Sequence, residues 1–565
     1  MDQPSANPQR SYTRGSQDKA LLALTIGQKF DHTAAQYPDG EALVVRHQQL
    51  RYSWRQLADA VDLHARALLA LGLQAGDRLG IWAPNCAQWC ITQVATAKIG
   101  VILVNINPAY RSSELEYVLK QSGCQWLVCA GAFKSSNYHA MLQGLVPELA
   151  EQSIGQLRSE SLPGLRGVIS LDAQPPSGFL PWSELADLAT SISPDQLRER
   201  SDSLHFDQPV NIQYTSGTTG FPKGATLSHY NILNNGYMVG ESIGLTPRDR
   251  LVIPVPLYHC FGMVMGNLGC ITHGSTMIYP NDAFDPLLTL QTVAEEKATG
   301  LYGVPTMFIA MLDQPQRAEF DLSSLRTGIM AGATCPIEVM RRVISEMHMS
   351  EVQIAYGMTE TSPVSLQTGP TDELELRVTT VGRTQPQLES KIIDEAGNLV
   401  TRGTIGELCT RGYSVMLGYW NNPQATAEAI DDAGWMHTGD LASMNEEGYV
   451  NIAGRNKDMI IRGGENIYPR ELEEFFFTHP AVADVQVIGI PCSRYGEEIV
   501  AWIKFHPGHS ASELELQTWC KERIAHFKTP RHFKFVEEFP MTVTGKIQKF
   551  KMREISIEEL REKQA

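Results

Sequence analysis

The sequence has no long hydrophobic run and no excess of basic residues. Its apolar stretches, such as VILVN at residues 101–105, are far shorter than the roughly 18 residues that a membrane-spanning helix requires. The formal net charge at pH 7 is -16, whereas binding to nucleic acid requires clustered Lys and Arg. We therefore expect neither a transmembrane segment nor a nucleic-acid partner.

The cysteines lack the spacing of a metal or redox motif. Cys86 and Cys90 form one close pair and Cys124 and Cys129 another, but neither pair is CxxC and no nearby His completes a site. Buried free thiols are the expected state of all ten cysteines. Free thiols suit a reducing compartment.

An apolar signal segment is also missing at the N-terminus. Residues 1–20 are polar, so a secretory signal is not indicated. Arg10, Arg14 and Lys19 give a weak case for an organellar presequence, and Asp2 and Asp18 count against it. We expect a cytoplasmic protein whose first 20 residues are disordered.

What the sequence does contain is a regular alternation of short apolar strands and helical segments. At 565 residues the chain is too long for a single core. Continuous apolar strands separated by helices predict parallel sheets that are covered on both faces. The predicted strands include residues 79–84, 101–105, 126–130, 167–172, 211–215, 250–258, 275–280, 300–305, 327–333 and 352–357.

The sequence pattern changes twice toward the C-terminus. From about Gly382 the sequence turns to short strands and turns, which indicates a β-rich subdomain at 382–456. After GRNKD at residues 454–458 a compact α+β pattern follows, long enough for a separate domain. The predicted fold is α/β, with a large N-terminal domain (21–456) of stacked parallel-type sheets and helices and a small α+β C-terminal domain (457–565).

The segment YTSGTTGFPKG at residues 214–224 has the composition of a phosphate-binding loop. Glycines allow close approach of backbone N–H groups, and a helix expected to begin near Ala225 would offer its N-terminus. It is not a Walker motif, because Lys223 precedes Gly224 instead of following it. Taken alone, the segment is a phosphate cradle or a solvated linker.

Four further motifs occur after this segment in a fixed order. The five motifs resemble those of the adenylate-forming superfamily, which includes acyl-CoA synthetases, peptide-synthetase adenylation domains and luciferases. The resemblance covers the chain from about residue 25 and is closest to the medium-chain acyl-CoA synthetases of the family member 2 group. The five motifs are YTSGTTGFPKG (214–224), AYGMTETS (355–362), WMHTGD (435–440), GRNKDMIIRGGENIYP (454–469) and TVTGKI (542–547).

The resemblance implies a reaction in two steps. A small carboxylic acid and ATP give an acyl-adenylate and pyrophosphate, and the thiol of CoA then displaces AMP. Glu360 would hold Mg²⁺, as suits a hard cation, and Lys546, Glu360 and Thr359 would be the catalytic residues. The implied ATP-binding residues are Thr215, Ser216, Gly217, Thr218, Thr219, Gly220, Lys223, Gly332, Ala333, Tyr356, Gly357, Thr359, Asp440 and Arg455.

Each implied role suits the chemistry of its residue. Tyr356 offers an aromatic face to adenine, and Thr359 a hydroxyl to the α-phosphate. Asp440 would accept both ribose hydroxyls, with Arg455 as a second ribose or phosphate contact. Lys546 is a compact charge that can contact the carboxylate and the bridging oxygen during adenylation.

Lys546 lies in the small domain, whereas the other implied residues of the first step lie in the large one. The resemblance implies that a mobile C-terminal domain rotates about a hinge at Lys457 and that a second orientation serves thioester formation. Gly463 and Gly464 would then line the passage for the pantetheine arm, and Phe527 would pack on the CoA nucleotide.

The acid is the least defined part. The implied acyl pocket consists of His259, Cys260, Phe261, Tyr302, Gly303, Val304, Met358 and Val364, with ordinary core packing as the alternative for each. PLYHCFG supplies no carboxylate to hold an α-ammonium group, so an amino acid is not expected. Short- to medium-chain fatty acids are expected, with aryl or hydroxy acids, or a carrier-protein acceptor, as alternatives. A catalytically silent relative would have lost Lys546 or Glu360, and a homo-oligomer is left open.

Overall fold

The computed structural model describes most of the chain. The described residues are 9–215, 222–333, 335–455, 458–462, 465–492, 495–521, 523–524, 528–542 and 547–562. Within them, no helix is both long and apolar enough to cross a lipid bilayer.

The strands are β1 (Tyr12–Arg14), β2 (Glu41–Val45), β3 (Leu50–Ser53), β4 (Arg78–Trp82), β5 (Ile102–Asn105), β6 (Trp126–Cys129), β7 (Ala132–Phe133), β8 (Ser136–Asn137), β9 (Gly167–Ser170), β10 (Phe179–Pro181), β11 (Pro209–Thr215), β12 (Lys223–Ser228), β13 (Arg250–Val252), β14 (Thr276–Tyr279), β15 (Gly300–Gly303), β16 (Thr327–Ala331), β17 (Glu351–Gly357), β18 (Val364–Gln367), β19 (Arg383–Thr384), β20 (Leu388–Ile393), β21 (Gly406–Gly412), β22 (Gly418–Tyr419), β23 (Met436–Met444), β24 (Val450–Arg455), β25 (Ile460–Arg462), β26 (Glu465–Ile467), β27 (Val482–Cys492), β28 (Gly496–Phe505) and β29 (His532–Phe535).

The helices are α1 (Ile26–Gln36), α2 (Trp54–Ala70), α3 (Ala87–Ile99), α4 (Ser112–Ser122), α5 (Tyr138–Leu145), α6 (Leu185–Ala189), α7 (Pro194–Asp202), α8 (His229–Ser242), α9 (Gly269–His273), α10 (Pro286–Glu295), α11 (Pro305–Leu312), α12 (Ile337–Glu346), α13 (Leu374–Thr379), α14 (Pro423–Ala429), α15 (Pro469–Phe477), α16 (Glu513–Lys521) and α17 (Lys549–Glu562). A π-helix spans Phe261–Leu268 and a short 3₁₀ turn spans Thr359–Thr361.

Two large sheets form the body of the fold. Sheet A has the strand order β10-β9-β6-β4-β5-β11-β12-β22, and it is parallel from β10 to β11 and antiparallel beyond. Sheet B has the order β19-β18-β17-β16-β15-β13-β14-β2-β3, and it is parallel from β17 to β2. Helix α8 contacts β12 of sheet A and β18 of sheet B. The prediction of an α/β fold with stacked parallel-type sheets is confirmed.

Two smaller sheets follow. Sheet C is antiparallel, with the order β1-β20-β21-β23-β24, and corresponds to the predicted β-rich segment. Sheet D contains β25 to β29 and lies after residue 458. A capping box precedes α16, since Ser512 and Glu515 exchange hydrogen bonds. The domain boundary at Lys457 lies outside the described residues and stays a prediction.

The expectation of a disordered N-terminus is wrong for residues 9–20. Strand β1 pairs with β20, with Tyr12 opposite Lys391 and Arg14 opposite Glu389. The Tyr12 hydroxyl donates to Glu389 Oε2 at 2.6 Å. The segment completes one edge of sheet C, and such long-range pairing leaves little signal in a short polar stretch. Residues 1–8 lie outside the described part.

Candidate active site

Four neighbouring parallel strands of sheet B, namely β13, β15, β16 and β17, end at the same edge of the sheet. Ligands of such sheets bind beyond the carboxyl ends of the strands. Predicted site residues follow each of them: His259, Cys260 and Phe261 after β13, Val304 after β15, Gly332 and Ala333 after β16, and Met358, Thr359 and Glu360 after β17. The topology therefore collects the residues predicted to bind the acyl group and the nucleotide at one edge.

The predicted phosphate segment connects two antiparallel strands of sheet A. In the pair β11–β12, Thr215 lies opposite Lys223. The expected helix near Ala225 is wrong, because residues 223–228 form β12 between β11 and β22, and α8 begins only at His229 behind its N-cap Ser228. The segment is thus held at both ends by strands. Residues 216–221, which include Ser216, Gly217, Thr218, Thr219 and Gly220, lie outside the described part.

Glu360 connects this hairpin to sheet B. Its side chain is only 5% exposed, and its Oε1 accepts hydrogen bonds from Thr215 Oγ1 at 3.1 Å and from the Tyr419 hydroxyl at 2.8 Å. Its backbone oxygen accepts from Met416 N at 2.9 Å. A nearly buried carboxylate beside the phosphate hairpin is the ligand type that Mg²⁺ prefers, so the residues present fit this ion.

Tyr419 was not identified from the sequence. Lys223 Nζ lies 5.2 Å from the centroid of its ring, within the range of a cation–π interaction. Burial and the Glu360 carboxylate raise the pKa of Tyr419 well above its ordinary value. Nothing in the single sequence marks this residue, because GYW at 418–420 lies between the recognisable motifs.

The residues predicted to bind the nucleoside also lie close together. The Tyr356 hydroxyl donates to Asp440 Oδ2 at 2.5 Å, and Asp440 lies opposite Arg455 in the pair β23–β24. Gly357 is required by close packing, since a Cβ there would lie 1.7 Å from the Pro363 carbonyl oxygen. Thr359 is half-buried in the 3₁₀ turn that also carries Glu360. The residues predicted for adenine and ribose are therefore neighbours.

A glutamate on the adjacent strand supports the segment that carries Asp440. Glu407 Oε2 hydrogen-bonds to His437 Nδ1 at 2.9 Å, and Glu407 Oε1 accepts from Gly439 N at 3.2 Å. The Thr438 hydroxyl donates to the Leu408 carbonyl at 2.6 Å and accepts from Asp440 N at 3.1 Å. These bonds fix the irregular part of β23 directly before Asp440. Glu407 was also not identified from the sequence, because GELC at residues 406–409 is typical only of a strand.

Glu407 and His437 form, with Cys409, a group that could hold a metal ion in the described part of the chain. Burial and, to a smaller extent, the Glu407 carboxylate raise the pKa of the Cys409 thiol to about 12, so the thiol is neutral at physiological pH. Lys391 lies opposite Cys409 in sheet C. A neutral thiol beside a lysine is a poor cation site, and the Glu407–His437 contact is a hydrogen bond between side chains.

The predicted acyl residues lie in or against the main hydrophobic core. Cys260, Tyr302, Val304 and Val364 are buried, and His259, Phe261 and Met358 are half-buried. The ring of Phe261 lies 5.3 Å from that of Tyr302, whose hydroxyl donates to the Met265 carbonyl at 3.2 Å. A Cβ at Gly303 would lie 2.9 Å from the Phe308 ring. Their role as a substrate pocket stays a prediction, since burial suits core packing equally.

Two buried amides hold the segment that presents His259. Asn85 donates to the Val255 carbonyl at 3.0 Å and accepts from Leu257 N at 2.8 Å. Asn105 donates to the Tyr258 carbonyl at 2.9 Å. The loop after β13 is therefore fixed from the β4–α3 connection and from β5, which lie in distant parts of the sequence.

The predicted residues of the small domain lie outside the described part of the chain. These residues are the catalytic Lys546, the hinge Lys457 and the CoA contacts Gly463, Gly464 and Phe527. Their neighbour Arg462 is described, and its Nε lies 2.7 Å from Glu498 Oε1. Their roles stay predictions.

Known proteins match nearly the whole chain. Residues 30–420 match the AMP-binding enzyme family and residues 471–546 match the AMP-binding enzyme C-terminal domain. The YngI protein of Bacillus subtilis (strain 168) is 49% identical over 540 residues, which covers 95% of this chain and 98% of that protein. The "Medium-chain acyl-CoA ligase ACSF2, mitochondrial" of Homo sapiens is 47% identical over 549 residues, covering 96% and 89%.

A solved structure is similar over the same length. The crystal structure of ATP-bound MatB from Rhodopseudomonas palustris has a TM-score of 0.79 and 28% identity, and the match covers 94% of this chain and 99% of that one. The resemblance to adenylate-forming enzymes and their acyl-CoA synthetases is thereby confirmed. The chain belongs to the AMP-binding enzyme family.

Proposed function

We propose that this protein is an ATP-dependent, AMP- and pyrophosphate-forming acyl-CoA synthetase for short- to medium-chain fatty acids. The observation that carries the proposal is the contact of Thr215 with Glu360, which brings the β11–β12 hairpin of sheet A against a buried carboxylate in the turn after β17 of sheet B. Tyr356 lies near the end of β17, the strand that leads to Glu360, and its hydroxyl donates to Asp440 of β23. Relatives named medium-chain acyl-CoA ligase support the reaction class.

The first half-reaction brings a carboxylate against a polyphosphate, so cations and donors must offset their repulsion. Thr215, Lys223 and the hydroxyls of Ser216, Thr218 and Thr219 would hold the β- and γ-phosphates. Thr359 would donate to the α-phosphate. Lys546 would bind the carboxylate and the bridging oxygen as the acyl–phosphate bond forms and pyrophosphate leaves.

Glu360 would hold Mg²⁺ during this step. The bound ion supplies positive charge that neutralises the phosphate oxygens. The chain's own contribution is to fix the carboxylate, which Thr215 and Tyr419 do through Oε1. Asp440 lies in the part of β23 that the Glu407 and Thr438 hydrogen bonds fix. It would accept the ribose hydroxyls and so place the α-phosphate near Thr359.

The second half-reaction would use a different arrangement of the small domain. Rotation about Lys457 would withdraw Lys546 and bring Gly463 and Gly464 to the passage for pantetheine, where the absence of Cβ atoms leaves room. Phe527 would pack on the CoA nucleotide. The CoA thiolate then attacks the acyl carbon, and AMP leaves with the C–O bond electrons.

The acid is proposed from the residues around His259. Tyr258, His259, Cys260 and Phe261 bring no carboxylate that could hold an ammonium group, so an uncharged acyl chain fits best. His259, half-buried at the site edge, would act as a steric gate. Aryl and hydroxy acids are the competing substrates.

The test measures AMP release by the purified protein with and without CoA over straight-chain, hydroxy and aromatic acids. We expect AMP release to depend on CoA and to be fastest with a straight-chain acid of short or medium length. AMP release that ignores CoA would reject the ligase assignment and favour another acceptor, such as a carrier protein. Highest rates with an aromatic or hydroxy acid would reject the fatty-acid assignment alone.

Partners and compartment follow from the same proposal. The acidic net charge disfavours nucleic acid, and size-exclusion chromatography with light scattering decides between a monomer and a homo-oligomer. All ten cysteines are free, which suits the cytosol. The human relative is named mitochondrial, so cell fractionation decides between the cytosol and an organelle.

A further inference from the structure

Tyr419 contacts both charged groups that the proposed function assigns to the phosphate end of ATP. Its hydroxyl donates to Glu360 Oε1 at 2.8 Å, and its ring lies 5.2 Å from Lys223 Nζ. Glu360 lies in the 3₁₀ turn that follows β17 of sheet B, whereas Lys223 begins β12 of sheet A. A single half-buried side chain therefore joins the two sheets at this point.

The backbone around Tyr419 is fixed on both sides. Tyr419 pairs with Ala225 of β12, and its N–H donates to Thr426 Oγ1 at 2.9 Å. Three residues earlier, Met416 N donates to the Glu360 carbonyl at 2.9 Å. The backbone that carries the phenol is thus held by main-chain contacts and does not depend on the Glu360 side chain for its position.

The hydrogen bonds on Glu360 are unevenly distributed over its two oxygens. Oε1 accepts from both Thr215 and Tyr419, whereas Oε2 accepts no hydrogen bond from a described residue. Two donors on one oxygen fix the plane of the carboxylate and leave the other oxygen for a cation. A tyrosine that served core packing alone would not need its hydroxyl on this carboxylate.

The ring of Tyr419 limits the position of the Lys223 ammonium group, as its hydroxyl limits the orientation of the Glu360 carboxylate. Lys223 lies directly opposite Thr215 in the hairpin, and its ammonium group has the face of Tyr419 as a non-ionic partner. A cation–π contact limits where the ammonium group can lie without neutralising its charge. The charge therefore remains available to a phosphate.

We propose that Tyr419 is a positioning residue that orients Glu360 for the metal ion through its hydroxyl and Lys223 for the nucleotide phosphates through its ring. This inference rests on the proposed function of the site. It predicts that the two parts of the side chain can be separated, because Tyr419→Phe removes only the hydroxyl and Tyr419→Leu removes both.

The experiment measures binding to the full chain, with no turnover. Mn²⁺ affinity in the presence of saturating ATP is followed by the electron paramagnetic resonance signal of free Mn²⁺. ATP affinity in EDTA and AMP affinity are measured by calorimetry. Tyr138→Phe is the matched control, since it removes a buried hydroxyl that donates to the Pro108 carbonyl.

We expect Tyr419→Phe to weaken Mn²⁺ binding roughly tenfold, as for the loss of one hydrogen bond to a charged group, with ATP affinity in EDTA and AMP affinity unchanged. Tyr419→Leu should weaken Mn²⁺ binding as much and also weaken ATP binding in EDTA about threefold. Because Thr215 donates to the same oxygen, Thr215→Val and Tyr419→Phe should be non-additive for Mn²⁺.

Wild-type Mn²⁺ affinity in Tyr419→Phe would overturn the role of the hydroxyl, and equal ATP affinity of the Phe and Leu variants in EDTA would overturn that of the ring. Weakening of Mn²⁺ binding by Tyr138→Phe would show a general effect of lost hydroxyls and overturn both. The proposed function fails separately: wild-type protein would then bind ATP and Mn²⁺ but form no acyl-CoA with any acid.

Discussion

Removal of the Glu407 carboxylate should weaken AMP binding, although Glu407 does not touch the proposed nucleotide site. In Glu407→Ala, His437 loses its 2.9 Å contact and Gly439 N loses its 3.2 Å contact. Hydrogen bonds to charged groups contribute about 1.5–3 kcal/mol each when buried. The Glu407 side chain is 29% exposed, so solvent screening lowers the combined effect to about 1–2 kcal/mol.

The lost free energy stabilises the part of β23 that carries Asp440, so we expect it to appear as weaker ribose binding. About 1–2 kcal/mol corresponds to a roughly 5- to 30-fold weaker affinity for AMP. Pyrophosphate does not reach the ribose, so pyrophosphate affinity should stay at the wild-type value. Calorimetric titration with AMP and with pyrophosphate separates the two expectations.

A glutamate elsewhere in sheet C provides the control. Glu389 pairs with Arg411 and accepts from Tyr12, as a half-buried carboxylate on β20. Glu389→Ala should cost similar stability without changing AMP affinity. Unchanged AMP affinity in a folded Glu407→Ala variant would refute the reasoning, and so would an equal loss of AMP affinity in Glu389→Ala.

Three other changes give distinct results. Lys546→Ala should abolish acyl-adenylate formation and largely spare thioester formation from supplied acyl-adenylate; equal losses in both assays would contradict the two-orientation proposal. Gly224→Ala should lower the midpoint of thermal unfolding by a few degrees. The new Cβ would lie 2.9 Å from Ile212 Cγ2, and overpacking costs about 1–3 kcal/mol. An unchanged midpoint would contradict this packing argument. Burial raises the pKa of Asp484 to about 7, so its ionisation destabilises the fold as pH rises. The thermal stability gained in Asp484→Asn should therefore grow from about pH 4 to pH 7 and level off above; a gain independent of pH would be inconsistent with the raised pKa.

The fold could be predicted because its signals are local and repeated. Continuous apolar strands alternate with helices, and that alternation alone indicates parallel sheets covered on both faces. Errors arose where long-range pairing decides the structure. The segment after Lys223 has no periodicity that distinguishes a strand from a helix start, and β22, almost 200 residues later, completes the sheet there.

Part of the candidate site could also be predicted from local sequence signals. Tyr356, Glu360 and Asp440 lie in motifs whose order identifies the family, so their participation could be inferred before their contacts were known. The residues that hold them, Glu407 and Tyr419, act through hydrogen bonds between different strands. Such contacts depend on register and side-chain direction, which a single sequence does not encode in any short pattern.

The parallel strands at the site edge have a consequence for how this scaffold can change its substrate. Strands in a sheet lie about 4.8 Å apart, so the end of β15, beside the proposed acyl residues, is about 10 Å from the end of β17, beside the nucleotide residues. That spacing is set by backbone hydrogen bonds and is insensitive to side chains. Under the proposed assignment, substitutions near β13 and β15 would change the acid specificity, by evolution or in the laboratory, without any need to rebuild the proposed ATP site.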